Sequence, residues 1–408
     1  MKIIVLTQYF WPENFRINDL TAGLVEKGYE VTVLTGIPNY PDGKFFPGYG
    51  IFKNLRQSYR GAEIIRVPLV SRGRSNKIRL LINYLSFAFY ASILAPIICR
   101  QRYDVIFVYE PSPITVGLPA IILKKIKSAP IFFWVQDLWP ESLSATGAVH
   151  SSFIIKYVKK LVQFIYHRCD LILVQSKAFI PSIKSLGVNA ARISYFPNSA
   201  EEFYSPVKLE ANSEERKVMP KGFIIMFAGN IGTAQDFSTI ISAAERIRDY
   251  KEIHWIIIGD GRKRLWVEEE IAKRNLSANF SLLGRHPAEK MPRYFALADV
   301  MLATLKNEEI FSFTIPAKVQ SYLACAKPII ASLAGEGARI IEESGAGFSC
   351  EPENPEALAQ LALKMYHMKA DERRAMGLKG REYFENNFER SKLIDQLDRL
   401  IKTVKGAR

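Results

Sequence analysis

Short apolar runs recur along the chain. Most are separated by longer stretches in which apolar positions return every three to four residues. In the first half the runs fall at 3–6, 30–34, 63–67, 105–109, 131–135, 171–174 and 193–196, with helical spacing between them at 18–27, 115–125 and 177–185. Runs such as Val105-Ile106-Phe107-Val108-Tyr109 do not alternate, which suits strands covered on both faces. Their alternation with helices predicts right-handed βαβ units around a mainly parallel sheet. The second half repeats the scheme, with strands at 223–228, 253–258, 280–283, 300–303 and 328–331. Its helices are expected at 237–248, 263–273, 288–297, 317–324, 355–368 and 371–386, and a last amphipathic stretch covers 390–404. Residues 199–221 interrupt the pattern: they are polar, mix both signs of charge and contain Pro206 and Pro220, which marks a linker. The expected architecture is α/β, with one doubly wound unit over 1–198, a second over 222–386 and a terminal segment over 387–408. Doubly wound sheets bind ligands at the carboxyl ends of their strands. Two of them facing a central cleft can hold a donor on one half and an acceptor on the other.

The stretch 80–98 carries no charge and is long enough to cross a bilayer, with Lys77, Arg79, Arg100 and Arg102 at its flanks. Spanning would put the strands at 63–67 and 105–109 on opposite sides of a membrane and split one sheet. Two readings remain: a helix packed on the sheet, or a helix lying in the membrane interface with its cations at headgroup level.

Composition narrows the partners. With 408 residues and 48% apolar content the chain is globular, with enough length for two cores. Cys99, Cys169, Cys325 and Cys350 show no metal or redox spacing, which fits buried thiols in a reducing compartment. Met1 leads directly into a strand without a cleavable signal, so a cytoplasmic location is expected. The net charge of +14 points to an anionic partner: nucleic acid, a membrane surface, or a nucleotide or pyrophosphate ligand. The cations are scattered and form no nucleic-acid motif, so nucleic acid is not expected. The five histidines, at 150, 167, 254, 286 and 367, do not cluster, and no metal is expected.

The turns carry the candidate chemistry. Gly229-Asn230-Ile231-Gly232-Thr233 lies between a strand and a helix, where glycines admit a close ligand and a helix N-terminus favours phosphate. The same glycines also suit a tight strand-to-helix turn with no ligand, and the spacing is not that of a dinucleotide fingerprint. A second glycine turn, Gly259-Asp260-Gly261, is followed by Arg262, Lys263 and Arg264, which either reach phosphate oxygens or form a solvated face. Gly284 and Arg285 end another strand, where open backbone groups can read a nucleobase. Pro316 opens a helix whose first turn holds Lys318, beside the expected anion. In Gly335-Glu336-Gly337, Glu336 either accepts hydrogen bonds from ribose or sugar hydroxyls or complements the helix dipole as a first-turn acid. In the first half Asp137 lies between Trp134 and Trp139 at a strand end and is the candidate for handling an acceptor hydroxyl, an N-cap role being the alternative. Glu110 ends the preceding strand, and Glu13, Asn14, Arg16 and 39–41 complete that rim.

The chain resembles family 4 glycosyltransferases. The resemblance is carried by Tyr9-Phe10-Trp11-Pro12-Glu13, the run from Gly28 to Thr35, Gln175-Ser176-Lys177, Phe196-Pro197-Asn198, Phe227-Ala228-Gly229-Asn230 and Ile258-Gly259-Asp260-Gly261, in order along nearly the whole chain. Within the family it is similar to the WbuB-like subgroup, proposed L-fucosamine transferases of bacterial O-antigen assembly. The resemblance implies a GT-B fold of two Rossmann-like domains, the first for the acceptor and the second for a nucleotide sugar, with a C-terminal helix returning to the first. It also implies no required metal and retention of anomeric configuration. The subgroup implies a UDP-linked donor, and the expected acceptor is a lipid-linked saccharide. Membrane contact through 77–102, at the inner face of the cytoplasmic membrane, is expected with it. Several positions depart from the family. Asn230 and Gln235 align with its phosphate clamp, Phe313 and Ser321 with its glutamate pair, and Gln136 with its histidine near the sugar; Asn14 and Phe15 stand where many members have glycines. Lys318, Arg262 and Glu336 are the expected substitutes. Two rival classes are a nucleotide-sugar 2-epimerase or hydrolase of the same fold, which turns over without acceptor, and a non-catalytic nucleotide-sugar-binding subunit, which binds without turnover.

Overall fold

The computed structural model describes residues 1–73, 77–145 and 151–406, so His150 lies outside the described residues. The chain divides into two units, Met1–Asn198 with Arg390–Arg408, and Ser199–Glu389.

Eight strands form the sheet of the first unit: β1 (Lys2–Leu6), β2 (Glu30–Gly36), β3 (Arg56–Tyr59), β4 (Ala62–Val67), β5 (Val105–Glu110), β6 (Ile131–Val135), β7 (Leu171–Val174) and β8 (Ile193–Tyr195). Their order is β3-β4-β2-β1-β5-β6-β7-β8, parallel throughout except for β3 against β4. Strand β3 escapes the sequence pattern because it is a polar edge, Arg-Gln-Ser-Tyr. It is joined to β4 through Arg60 and Gly61, both at positive φ as a tight hairpin turn requires. Strand β1 lies between β2 and β5, so winding reverses there and the switch point opens beyond Leu6 and Glu110.

Helix α1 (Arg16–Glu26) and the C-terminal helix Arg390–Gly406 share one core with the sheet, through Ile17, Leu20 and Leu24 and through Leu393, Ile394, Leu397 and Ile401. Polar contacts fix their register. Arg390 Nε meets Asp19 at 2.8 Å, Tyr29 donates to Asp398 at 2.6 Å and Gln396 donates to the Tyr195 carbonyl at 2.8 Å. Three further helices adjoin one another in turn: α2 (Lys77–Ile98), α3 (Gly117–Lys127) and α4 (Ser152–Tyr166). Helix α2 covers the uncharged stretch. It buries Asn83, Phe87, Ala88, Ala91 and Ala95 and exposes Ile78 (70%), Leu81, Ile82, Leu85, Phe89 (59%), Ile93 and Ile97. Helix α4 exposes Phe153, Ile154, Tyr157 and Phe164 beside Lys156, Lys159 and Lys160.

The second unit holds β9 (Phe223–Ala228), β10 (Ile253–Ile258), β11 (Phe280–Gly284), β12 (Val300–Thr304), β13 (Ile329–Ser332) and β14 (Gly347–Cys350). All neighbours are parallel in the order β11-β10-β9-β12-β13-β14, which puts its switch point between β9 and β12. Two apolar clusters flank this sheet, one around Met226, Ile256, Met301 and Tyr322 and one around Ile225, Phe227, Trp255 and Leu302. The polar stretch 199–221 packs on this unit, and its Glu215 is buried and paired with Arg293 at 2.7 Å. The helices that frame the switch point are α5 (Phe237–Arg246), α6 (Arg264–Lys273), α7 (Ala317–Ala324) and α8 (Glu336–Glu343). All four cysteines are free thiols, three of them buried.

Candidate functional site

In the second unit the turns after β9 and β10 are in backbone contact. Gly229 and Gly259 both have φ near +145°, and a Cβ on Gly259 would sit 1.8 Å from the Gly229 carbonyl oxygen. A Cβ on Gly261 would sit 2.3 Å from the Ile231 carbonyl oxygen. These glycines are therefore required by the meeting of two turns, whatever binds there. Gln235 closes the turn: its Oε1 accepts from the Gly232 amide at 3.2 Å and from Asn230 Nδ2 at 3.3 Å. Gly229, Asn230 and Thr233 lie at the surface of this turn.

Lys318 rises from the first turn of α7 to the floor of that turn. Its Nζ lies 3.3 Å from where a Gly229 Cβ would be and 3.6 Å from the centre of the Phe227 ring. The stem is half-buried, but the ammonium is sealed from water and has no hydrogen-bond partner. Burial pushes it down to about 7. An unpaired buried cation is costly, and the ring face offsets only part of that.

The other donor-side candidates are dispersed around this point. Arg262 is exposed, whereas its neighbours are engaged, Lys263 over Trp266 and Arg264 with Glu268 at 2.8 Å. Arg285 is exposed after β11. Ser321 is buried one turn beyond Lys318 and donates to the Ala317 carbonyl. Gly335 has φ +70° and packs against the Ser312 carbonyl, and Gly337 lies against Leu333 and Pro316. Glu336 opens α8 and grips Arg339 with both oxygens, at 2.9 and 3.0 Å, so its first-turn role is already filled from its own helix.

In the first unit the switch point gathers Glu110 and Asp137. Glu110 is fully buried at the end of β5, and neither carboxylate oxygen has a hydrogen-bond partner. Burial first, and the charge of Asp137 second, hold it well above the usual carboxylate range. Asp137 is half-buried, and burial raises it to about 6 against a hydrogen bond from Ser112. The flanking tryptophans serve the core: Trp134 donates to the Phe196 carbonyl at 2.9 Å and Trp139 to Ser112 Oγ at 3.2 Å.

Glu13 is an organiser of the rim. It is buried, and its oxygens accept from the amides of Asn39 and Tyr40 at 2.7 Å each and of Phe10 at 3.3 Å. Burial raises it to about 7 in spite of those bonds. Glu13→Ala orphans three amides and is expected to cost about 2–4 kcal/mol in denaturant unfolding. A carboxyl group raised in the fold is stabilising when protonated. Relative to Glu13→Gln, the wild type should therefore lose stability as pH rises from 4.5 to about 7. Asn14 is exposed and Arg16, half-buried, opens α1. Sequence reasoning passed over Asn83 of the uncharged stretch, which accepts from Gln8 Nε2 at 2.7 Å and donates to the Val70 carbonyl at 2.6 Å. It also passed over the amide cluster in which Asn198 donates to Gln136 at 2.9 Å and to Gln175 at 2.6 Å. Among the described residues no three His, Cys, Asp or Glu side chains converge as metal ligands.

Residues 14–199 match the glycosyl transferase 4-like domain, and residues 210–383 match the group 1 glycosyl transferases. Between them the two matches cover all of the second sheet and the first sheet from β2 onward. The chain is a glycosyltransferase. WbjE, a glycosyltransferase of Pseudomonas aeruginosa, is 29% identical over 71% of this chain and 73% of its own. WcaI of Escherichia coli K12, a glycosyl transferase named for colanic acid biosynthesis, is 24% identical over the full length of both. Anabaena HepE, solved in complex with UDP, superposes with a TM-score of 0.70 at 15% identity, over 99% of this glycosyltransferase and all of HepE. The fold is GT-B, two parallel-sheet α/β domains.

Proposed function

We propose that this glycosyltransferase moves a sugar from a UDP-linked donor to a lipid-linked saccharide in bacterial surface-polysaccharide synthesis, with retention of configuration and without a metal. N-acetyl-L-fucosamine or a related amino-deoxy sugar is the proposed cargo. The observation that carries the reading is the buried, unpartnered ammonium of Lys318 at the switch point of the second unit. A departing diphosphate is the ligand whose charge it lacks, and stabilising that charge is the largest electrostatic demand of the transfer. The amides of the Gly229–Thr233 turn and the exposed Arg262 add donors for the same oxygens, while Arg285, Ser321 and the Gly335-Glu336-Gly337 turn border the nucleotide and sugar. Asp137, with Glu110 behind it, orients and deprotonates the acceptor hydroxyl on the first unit. The complex of HepE with UDP and the naming of WcaI for colanic acid support the donor and the pathway class.

The apolar outer side of α2, together with the lysines of α4, supports peripheral contact with the inner face of the cytoplasmic membrane. Calorimetric titration with UDP, GDP, dTDP and ADP in EDTA tests the donor. Selective UDP binding is expected. Binding that needs magnesium restored overturns metal independence, and no nucleotide binding overturns the donor assignment.

A further inference from the structure

The sheet of the second unit parts at its switch point, and a tyrosine hydroxyl stands in the gap. Strands β9 and β12 are paired at Ile225 with Val300 and at Met226 with Met301 and no further, although β9 runs on to Ala228 and β12 to Thr304. On its other side β9 stays paired with β10 as far as Ala228. In the register of those two pairs, the next bond across the gap would run from the Ala228 N–H to the Leu302 carbonyl. The Tyr322 hydroxyl occupies that rung. It accepts from the Ala228 N–H at 3.1 Å, and its own hydrogen has the Ala228 carbonyl at 3.2 Å and the Leu302 carbonyl at 3.4 Å within reach. Tyr322 is fully buried, so water cannot take over these bonds.

The same helix grips the residues on either side of Ala228. Lys318, one turn before Tyr322 on α7, puts its ammonium 3.6 Å from the centre of the Phe227 ring and 3.3 Å from where a Gly229 Cβ would be. Phe227, Ala228 and Gly229 thus meet two side chains that share one face of one helix. Without the hydroxyl, the Ala228 N–H and the Leu302 carbonyl either stay unpaired in the interior or close on each other. Either change shifts the Gly229 turn against Lys318. We propose that Tyr322 is a positioning residue for the donor diphosphate: its hydroxyl holds β9 and β12 apart at Ala228 and so sets the Gly229 turn against the Lys318 ammonium. The assignment rests on the reading of Lys318 above and adds to it the residue that fixes where its charge stands. Tyr322 acts through Lys318 and touches no ligand itself.

The test is a double-mutant cycle in the full chain. UDP is titrated by calorimetry, and uridine by its competition with UDP, for the wild type, Tyr322→Phe, Lys318→Met and the double variant. Tyr322→Phe is expected to weaken UDP binding about tenfold and to leave uridine binding within about twofold, because the hydroxyl serves the diphosphate and not the nucleoside. In the Lys318→Met background the same substitution is expected to change UDP binding by less than about twofold. Equal weakening of UDP and uridine, a loss that persists undiminished without Lys318, or no loss at all overturns the positioning role and leaves the reading of Lys318 standing. A wild type that binds no UDP, or a Lys318→Met that binds it as tightly as the wild type, overturns both. If Tyr322→Phe does not fold, Tyr322→3-fluorotyrosine, which keeps the hydroxyl and weakens it as an acceptor, is carried through the same cycle. A loss confined to UDP and absent with Lys318→Met then supports the role, and any other pattern overturns it.

Discussion

Replacing Lys318 with methionine should abolish most of the activity and make the nucleotide-free protein more stable. The ammonium is sealed over Phe227 with no partner, and burial brings it from 10.5 down to about 7. One pKa unit corresponds to about 1.4 kcal/mol, so the unliganded fold carries a burden on the order of 2–5 kcal/mol that methionine, similar in length and apolar, removes. In the reaction the same charge faces a departing diphosphate. Its loss should lower kcat/KM by about 100-fold or more, the range seen when one preorganised donor is removed. The sign with pH follows from linkage. Because the folded state depresses the pKa, the unfolded chain binds more protons between about 7 and 10.5, and stability rises with pH across that window. The stability advantage of Lys318→Met should therefore be largest below pH 7 and close toward pH 10.5. Denaturant unfolding over that range, paired with turnover, checks both arms. A variant that keeps wild-type kinetics removes Lys318 from the mechanism.

Asp137→Asn should spare UDP binding and lower turnover by about 100-fold to 1,000-fold, the range of general-base contributions with loss of orientation added. Asp137 is raised to about 6, so its basic form gives way to the acid as pH falls through that value. The wild-type rate should fall on the acid side with an apparent pKa near 6, shared with the buried Glu110 behind it. In Asp137→Asn that limb should vanish from the residual rate. If UDP affinity collapses instead, Asp137 serves the donor and its assignment is wrong.

The strands buried on both faces were legible because their apolar runs are continuous, as in 105–109 and 253–258. The edges were not. Arg56–Tyr59 is polar, and Gly347–Cys350 is four residues long with two small members, so neither carries a signal of burial. The site was legible where a turn demanded special residues, at Gly229, Gly259 and Gly335. Yet the same positions show why a glycine alone is ambiguous: the carbonyls of Gly229 and Ser312 exclude a side chain there on structural grounds. The partnering of Glu336 by Arg339 could be anticipated from their spacing of three. The bond from Gln8 to Asn83 could not, because it joins a strand end to a helix 75 residues further along the chain.

The C-terminal helix has a consequence for how the chain is made. Leu393, Ile394, Leu397 and Ile401 complete the core that Ile17, Leu20 and Leu24 begin. A ribosome that has released the first 198 residues has therefore released a domain with one wall missing. That wall arrives only after the whole second domain has been translated. The first domain must wait with its apolar face uncovered, a natural client for a chaperone. A nonsense codon just after Glu389, where the second domain ends, would spare that domain and take the wall from the one made first.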